Sequence, residues 1–264
     1  MGTDSIDSRA SSGDRAARLG HRGSPRKERV APHDRWISPW RRFFRLVLTT
    51  FLILIFLGAA ITLIVAWVLY RALTYVPPFF AERLGERREI WKEPSDQFLQ
   101  RATTLGNLIR KKQPWEGVFS EEQINGWLAL EWPAQKPQFT DFELGETRVQ
   151  LADNRVLVGT DVTFKYLKGV FWLQLEPILA EPNYLLIRIR DARLGRLRLP
   201  MTWVTEALTR VVTDVNQSHH WQQMDADPVL AVRFDFTEQL KGRRPQWTQL
   251  QISPGQLYLA GTTE

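Results

Sequence analysis

The sequence runs to 264 residues, with 35 Lys/Arg against 29 Asp/Glu and no cysteine. The lack of cysteine excludes a disulfide framework, a thiolate nucleophile and a cysteine-based metal centre. The net charge of +6 points to nucleic acid only until it is partitioned: residues 1–45 hold eleven Lys/Arg against five Asp/Glu, and residues 71–264 hold twenty-four of each. A neutral folded portion lacks the footprint that phosphate-backbone binding needs, so no nucleic-acid partner is expected.

Three segments follow from this distribution. Residues 1–45 are rich in Ser, Gly, Asp and Arg up to about Pro32 and too poor in large apolar residues to offset ordering entropy, which predicts a disordered basic tail. Residues 46–70 (LVLTTFLILIFLGAAITLIVAWVLY) carry no charge and are long enough for a transmembrane helix, since about 20 apolar residues cross a bilayer core of roughly 30 Å. Seven Lys/Arg lie in the twenty positions before the run and four in the twenty after it, so the amino end is expected to stay in the cytoplasm. Residues 71–264 then form one extracytoplasmic domain held at the inner membrane by a single span. Arg41-Arg42-Phe43-Phe44 offers a twin-arginine alternative, but the apolar run exceeds a cleavable core and Val68-Leu69-Tyr70-Arg71 is no cleavage site. Trp36 and Trp40 on one side, and Trp67, Tyr70 and Tyr75 on the other, suit the two interfaces.

Beyond the span, Val76-Pro77-Pro78 stops the helix. The spacing predicts a short amphipathic helix over 79–91, with Phe80, Leu84 and Trp91 opposite Glu82, Glu86 and Glu89. A second helix is expected to start near Pro94, with Phe98, Ala102, Leu105 and Ile109 as its stripe. Ser120-Glu121-Glu122-Gln123 is a capping box opening a helix with Ile124, Trp127, Leu128 and Leu130, in which Asn125 reads as a structural amide.

From Gln138 the period changes to alternation. Val156, Val158, Thr160, Val162, Phe164 and Tyr166 form one strand face, between turns at Asp153-Asn154 and Lys168-Gly169. Phe171, Leu173 and Leu175 alternate in a second strand, and Leu185, Ile187 and Ile189 in a third beyond Glu181-Pro182-Asn183, an antiparallel meander with one wet face. Pro200 opens a helix to about Ser218, with Val204, Leu208, Val211 and Val215 opposite Glu206, Arg210 and Asp214. Leu230, Val232, Phe234 and Phe236 mark another strand, and 247–252 pairs with 256–259 across Ser253-Pro254-Gly255. The expected fold class is α+β, a curved antiparallel sheet packed with amphipathic helices.

Catalytic chemistry is sparse. His219 and His220 are adjacent at the end of the predicted helix and point in different directions. Asp225 and Asp227 beside Pro228 read as a polar loop or a surface cation site, and Asp141 with Glu143 as solvent-facing acids or an acid pair. No P-loop, nucleophile elbow, zinc-protease or dinucleotide motif occurs, so neither an enzyme nor a cofactor is expected. Asn216-Gln217-Ser218 is formally a glycosylation sequon. Large apolar residues on both faces of a strand, Val170 and Trp172 opposite Phe171 and Leu173, mean either helices on both sides or an apolar cavity under one.

The order of elements carries a resemblance. The single span, the Phe119–Leu128 segment (FSEEQINGWL), and a meander ending in Leu194–Pro200 (LGRLRLP) resemble YpmS-like bacterial membrane-anchored proteins. They are more remotely similar to extracytoplasmic lipid-binding domains of the LmeA and BPI-like kind. The resemblance implies a cell-envelope protein that handles lipid. A lipid or other hydrophobic ligand would then be lined by Val162, Phe164, Phe171, Leu173 and Ile187, with the bilayer itself as a partner. The alternative is a non-enzymatic scaffold that docks other envelope proteins.

Overall fold

A computed structural model describes residues 39–83, 85–135, 142–165, 167–214, 218–234 and 243–264. Most of the basic tail, together with Leu84, the stretch from Gln138 to Asp141, Tyr166, the Asn216-Gln217 half of the sequon, Val215 and Phe236, lies outside these residues. The chain divides into two compact units, residues 1–56 and 57–264. In the first unit the described residues belong to the opening part of helix α1 (Pro39–Leu73). The stretch Trp40–Leu73, 34 residues, is long and apolar enough to cross a membrane, and its most apolar part is not buried against the rest of the chain. At 1.5 Å per residue it measures about 50 Å, well beyond a hydrocarbon core.

In the second unit the proline pair stops α1, and the rest is mixed helix and antiparallel sheet. The predicted helix over 79–91 is two pieces, α2 (Pro78–Ala81) and the start of α3 (Arg88–Ile109), parted by Gly85 at φ 76°. Nor does the second helix begin near Pro94, which sits inside α3. A proline there costs about 3 kcal/mol. Trp91, three residues earlier in the same helix, is buried. Helix α4 (Glu121–Leu130) follows strand β1 (Pro114–Ser120), and the capping box is formed at Ser120 and Gln123. Gly126 lets α4 touch α3 backbone to backbone, because a Cβ there would stand 2.6 Å from the Ser95 nitrogen. A short helix α5 (Trp132–Gln135) ends this part.

The main sheet comprises β2 (Glu143–Ala152), β3 (Arg155–Phe164), β4 (Leu167–Glu181), β5 (Tyr184–Leu194), β6 (Leu197–Arg198), β7 (Ser218–Met224) and β8 (Asp227–Arg233). Its order is β2-β3-β4-β5-β8-β7, with β6 paired to β5. The turn expected at Lys168-Gly169 lies earlier, with Lys165 at φ 51°, and both residues belong to β4. Gln174 pairs with Asp191 but Leu175 with Ile189, so Arg190 is an extra residue on β5, a bulge. That bulge brings Ile189 and Ala192, three apart, onto one face.

Helix α6 (Met201–Asp214) ends before Ser218, which opens β7. Its Val204 shares a core cluster with Leu173, Ile189 and Ala192, with Met201, Leu208 and Trp221 packed around it. On the opposite face Phe79 and Phe80 pack on Val170, Leu157 and Trp172, so this face is not wet at that end. Gly159 leaves the room, since a Cβ there would stand 2.8 Å from the Phe80 ring. The terminal hairpin, β9 (Pro245–Ser253) and β10 (Gln256–Thr263), forms as expected, and β10 also pairs with β1. Ser120 therefore sits opposite Gln256, a pairing between distant sequence that no local pattern announces.

Candidate functional site

Registers place Val162, Phe164, Phe171, Leu173 and Ile187 on one face of the sheet. Val158 opposes Leu173, Thr160 opposes Phe171, Phe164 opposes Leu167, and Pro177 opposes Ile187. They do not share an environment. Leu173 is 5% exposed and in contact with the Val204 cluster, against which Phe171 packs. Val162 and Ile187 are half-buried, and Phe164 is 45% exposed at the end of β3.

A pocket of about 430 Å³ lies on the other face, within the roughly 300–1,000 Å³ span of small-molecule sites. The segment just after α1 supplies Tyr75, Pro77, Pro78 and Phe79; the sheet supplies Leu157, Trp172 and Arg193; the β5–β6 turn supplies Gly195 and Arg196. Trp172 and Arg193 are register partners, and the guanidinium carbon lies 5.3 Å from the indole centroid. Trp172 Nε1 donates to the Gly195 carbonyl at 2.9 Å, which fixes the ring as a wall. Arg193 Nε donates to Asp191 at 2.7 Å. Arg196 instead covers the Tyr75 ring at 4.3 Å, and among the described residues no carboxylate pairs with it.

This pocket is built on a close joint. Gly195 has φ 60°, and a Cβ on it would stand 2.2 Å from the Ala72 carbonyl oxygen and 2.6 Å from that of Leu73. The Arg196 N–H donates to the Ala72 carbonyl at 2.9 Å, satisfying a group that the helix end leaves open. Sequence reasoning missed the pocket because its walls come from three segments. The proline pair and the LGRLRLP run were visible, but not their meeting.

Titratable side chains gather elsewhere. Arg148 is buried against the Trp91 ring at 5.2 Å, donating to the Thr147 carbonyl and to Glu146, at 2.8 and 2.9 Å. Burial pulls its pKa below the ordinary arginine value despite Glu146 and Glu86. The Asp161 carboxyl is pushed up, first by burial and then by Glu146. Asp225 and Asp227 accept from Arg188 at 2.9 and 2.7 Å, and Asp227 also from Arg190 at 3.0 Å, so both acids are ion-paired with arginine. Glu143 begins β2, while Asp141 lies outside the described residues. His219 and His220 stand in β7 opposite Val232 and Ala231 rather than at a helix end, on opposite faces. His220 stacks on Tyr184. Among the described residues no cluster of three or more His, Asp or Glu has metal-binding geometry.

No protein-family model, no curated protein and no solved structure matches this chain.

Proposed function

We propose that this is a single-span inner-membrane protein whose extracytoplasmic domain binds a lipid or similar amphiphile beside the point where its own anchor emerges. The observation that carries the reading is the pocket of about 430 Å³ between Tyr75, Phe79, Leu157 and Trp172, with the Arg196 guanidinium at its rim. Aromatic and aliphatic walls take the apolar part of such a molecule, and arginine takes an anionic or strongly polar head group. The site opens next to residues 72–75, so its ligand need not cross water to reach it. In this reading the sheet curves, aided by the bulge at Arg190, around α6, and the envelope affiliation follows from the basic, cytoplasmic amino end.

The test is photo-crosslinking of the full chain in lipid nanodiscs with a phospholipid bearing a diazirine near its head group. The reading expects labelled peptides from 75–79 and around Trp172, with labelling lost in Trp172→Ala. Labelling confined to 46–70 would sink it.

An interaction module is the second reading. A groove of about 380 Å³ between α3 and β1, lined by Gln100, Arg101, Leu105, Leu108, Glu116 and Val118, favours it. It is bridged by Arg101, which donates to the Val118 carbonyl at 2.8 Å. Under that reading Trp172→Ala is silent and Arg101→Ala weakens association in cell-envelope crosslinking.

A further inference from the structure

We infer that the tip of the β3–β4 hairpin is a second attachment to the bilayer, with Phe164 and Leu167 seated among the lipid head groups on the side where α1 ends. The two residues are register partners and are 45% and 46% exposed, an apolar pair presented to the surroundings at the end of a hairpin. The pocket plays no part in this inference.

Position and direction both follow from close contacts. Gly169 is two residues from Leu167 on β4, and a Cβ on it would stand 2.9 Å from the Leu73 carbonyl oxygen. The tip thus starts within about 10 Å of the last turn of the apolar helix, two strand residues at about 3.3 Å each beyond that contact. From Leu73 the chain passes Tyr75 and Pro77, and its Phe79 and Phe80 arrive at Gly159. Gly159 is the register partner of Trp172. The chain leaving α1 therefore travels along β4 from Gly169 toward Trp172. Phe164 and Leu167 lie on the other side of Gly169, back toward the membrane.

The charges beside the pair match a head-group layer. Lys165 holds its ammonium 5.6 Å from the centroid of the Phe164 ring, and Lys168 follows Leu167 on the same hairpin. Arg71 lies in the last turn of α1, and Arg196 lies against Ala72. Aromatic and aliphatic side chains flanked by cations bind the interface through buried apolar area and attraction to anionic lipid. The anchor fixes the hairpin at the surface already, so two side chains add attachment without loss of translational freedom.

The natural absence of cysteine makes the test direct. Full-length Leu167→Cys carries one environment-sensitive fluorophore in nanodiscs of phosphatidylcholine and phosphatidylglycerol. Ile178→Cys serves as reference, because residue 178 is also exposed on β4 and eleven residues away, about 35 Å. The expected result is blue-shifted emission at 167 and several-fold stronger quenching there than at 178 by lipids spin-labelled near the head group. Equal, water-like emission at both sites overturns the inference. So does a blue shift at 167 without lipid quenching, which would mean that protein covers the tip.

Discussion

The Asn125 side chain pairs with the Val149 backbone as a neighbouring strand would: Nδ2 donates to the carbonyl at 2.8 Å, and Oδ1 accepts the N–H at 2.8 Å. Glu121, one turn earlier on α4, accepts the Leu151 N–H at 2.7 Å and is ion-paired with Arg83. Gly255 completes the edge by donating to the Leu151 carbonyl at 3.1 Å. A sheet edge open to further pairing is thereby closed by two side chains of α4 and one backbone N–H.

Removing that amide should be expensive. Asn125 is fully buried, so Asn125→Ala orphans two backbone groups and should cost about 2–4 kcal/mol, measured by denaturant unfolding of the full chain in detergent. Asn125→Asp keeps the acceptor for the N–H but sets a carboxylate against the Val149 carbonyl. Its destabilisation should ease in acid, where a protonated carboxyl can donate. An unchanged midpoint in both variants would mean that the edge is closed without Asn125.

Gly195 tests the joint between the end of α1 and the sheet. Gly195→Ala puts a methyl where the Ala72 and Leu73 carbonyls lie and imposes φ 60° on a residue that disfavours it. The joint must then open. Hydrogen exchange at the Arg196 amide, bonded to Ala72, should accelerate at least tenfold, while exchange in β9 and β10 stays as it was. Uniform acceleration would point to global destabilisation instead.

Adjacent residues on β4 should separate stability from binding. Leu173→Ala opens a cavity beside Val204 and Ile189 and should cost about 2–5 kcal/mol. Trp172→Ala should act chiefly on head-group crosslinking, because one side of the ring borders the pocket. Loss of crosslinking in a folded Leu173→Ala protein, with Trp172→Ala unaffected, would return the ligand to the face that carries Phe171 and Ile187.

Asp161 predicts a pH dependence. Its carboxyl is held above the usual carboxylate range by burial and by Glu146, with Arg148 and Lys168 pulling the other way. Between the unfolded and folded values the folded chain binds more protons, so stability falls as pH rises through that window and the loss is complete above it. Asp161→Asn should therefore melt higher than the parent at neutral pH. The difference should fade below about pH 4, where the unfolded carboxyl is protonated too. A variant that melts lower at neutral pH would mean that Arg148 and Lys168 outweigh burial.

The sequence by itself determined what depends on neighbouring residues: the uncharged run that becomes α1, its stop at the prolines, the capping box at Ser120, and the alternation of β3 to β5. Each is written within a few residues, in hydropathy, capping or turn chemistry. Tertiary structure decided what depends on burial by distant partners. Pro94 lies inside a helix that α4 meets backbone to backbone at Gly126. Ser218 to His220 form a strand because Arg233 to Ala231 stand opposite. The pocket exists because a turn after β5 bonds to the end of α1 and brings Arg196 over Tyr75, 121 positions earlier in the chain. No local pattern encodes that encounter; packing and the hydrogen bonds left open at a helix end bring it about.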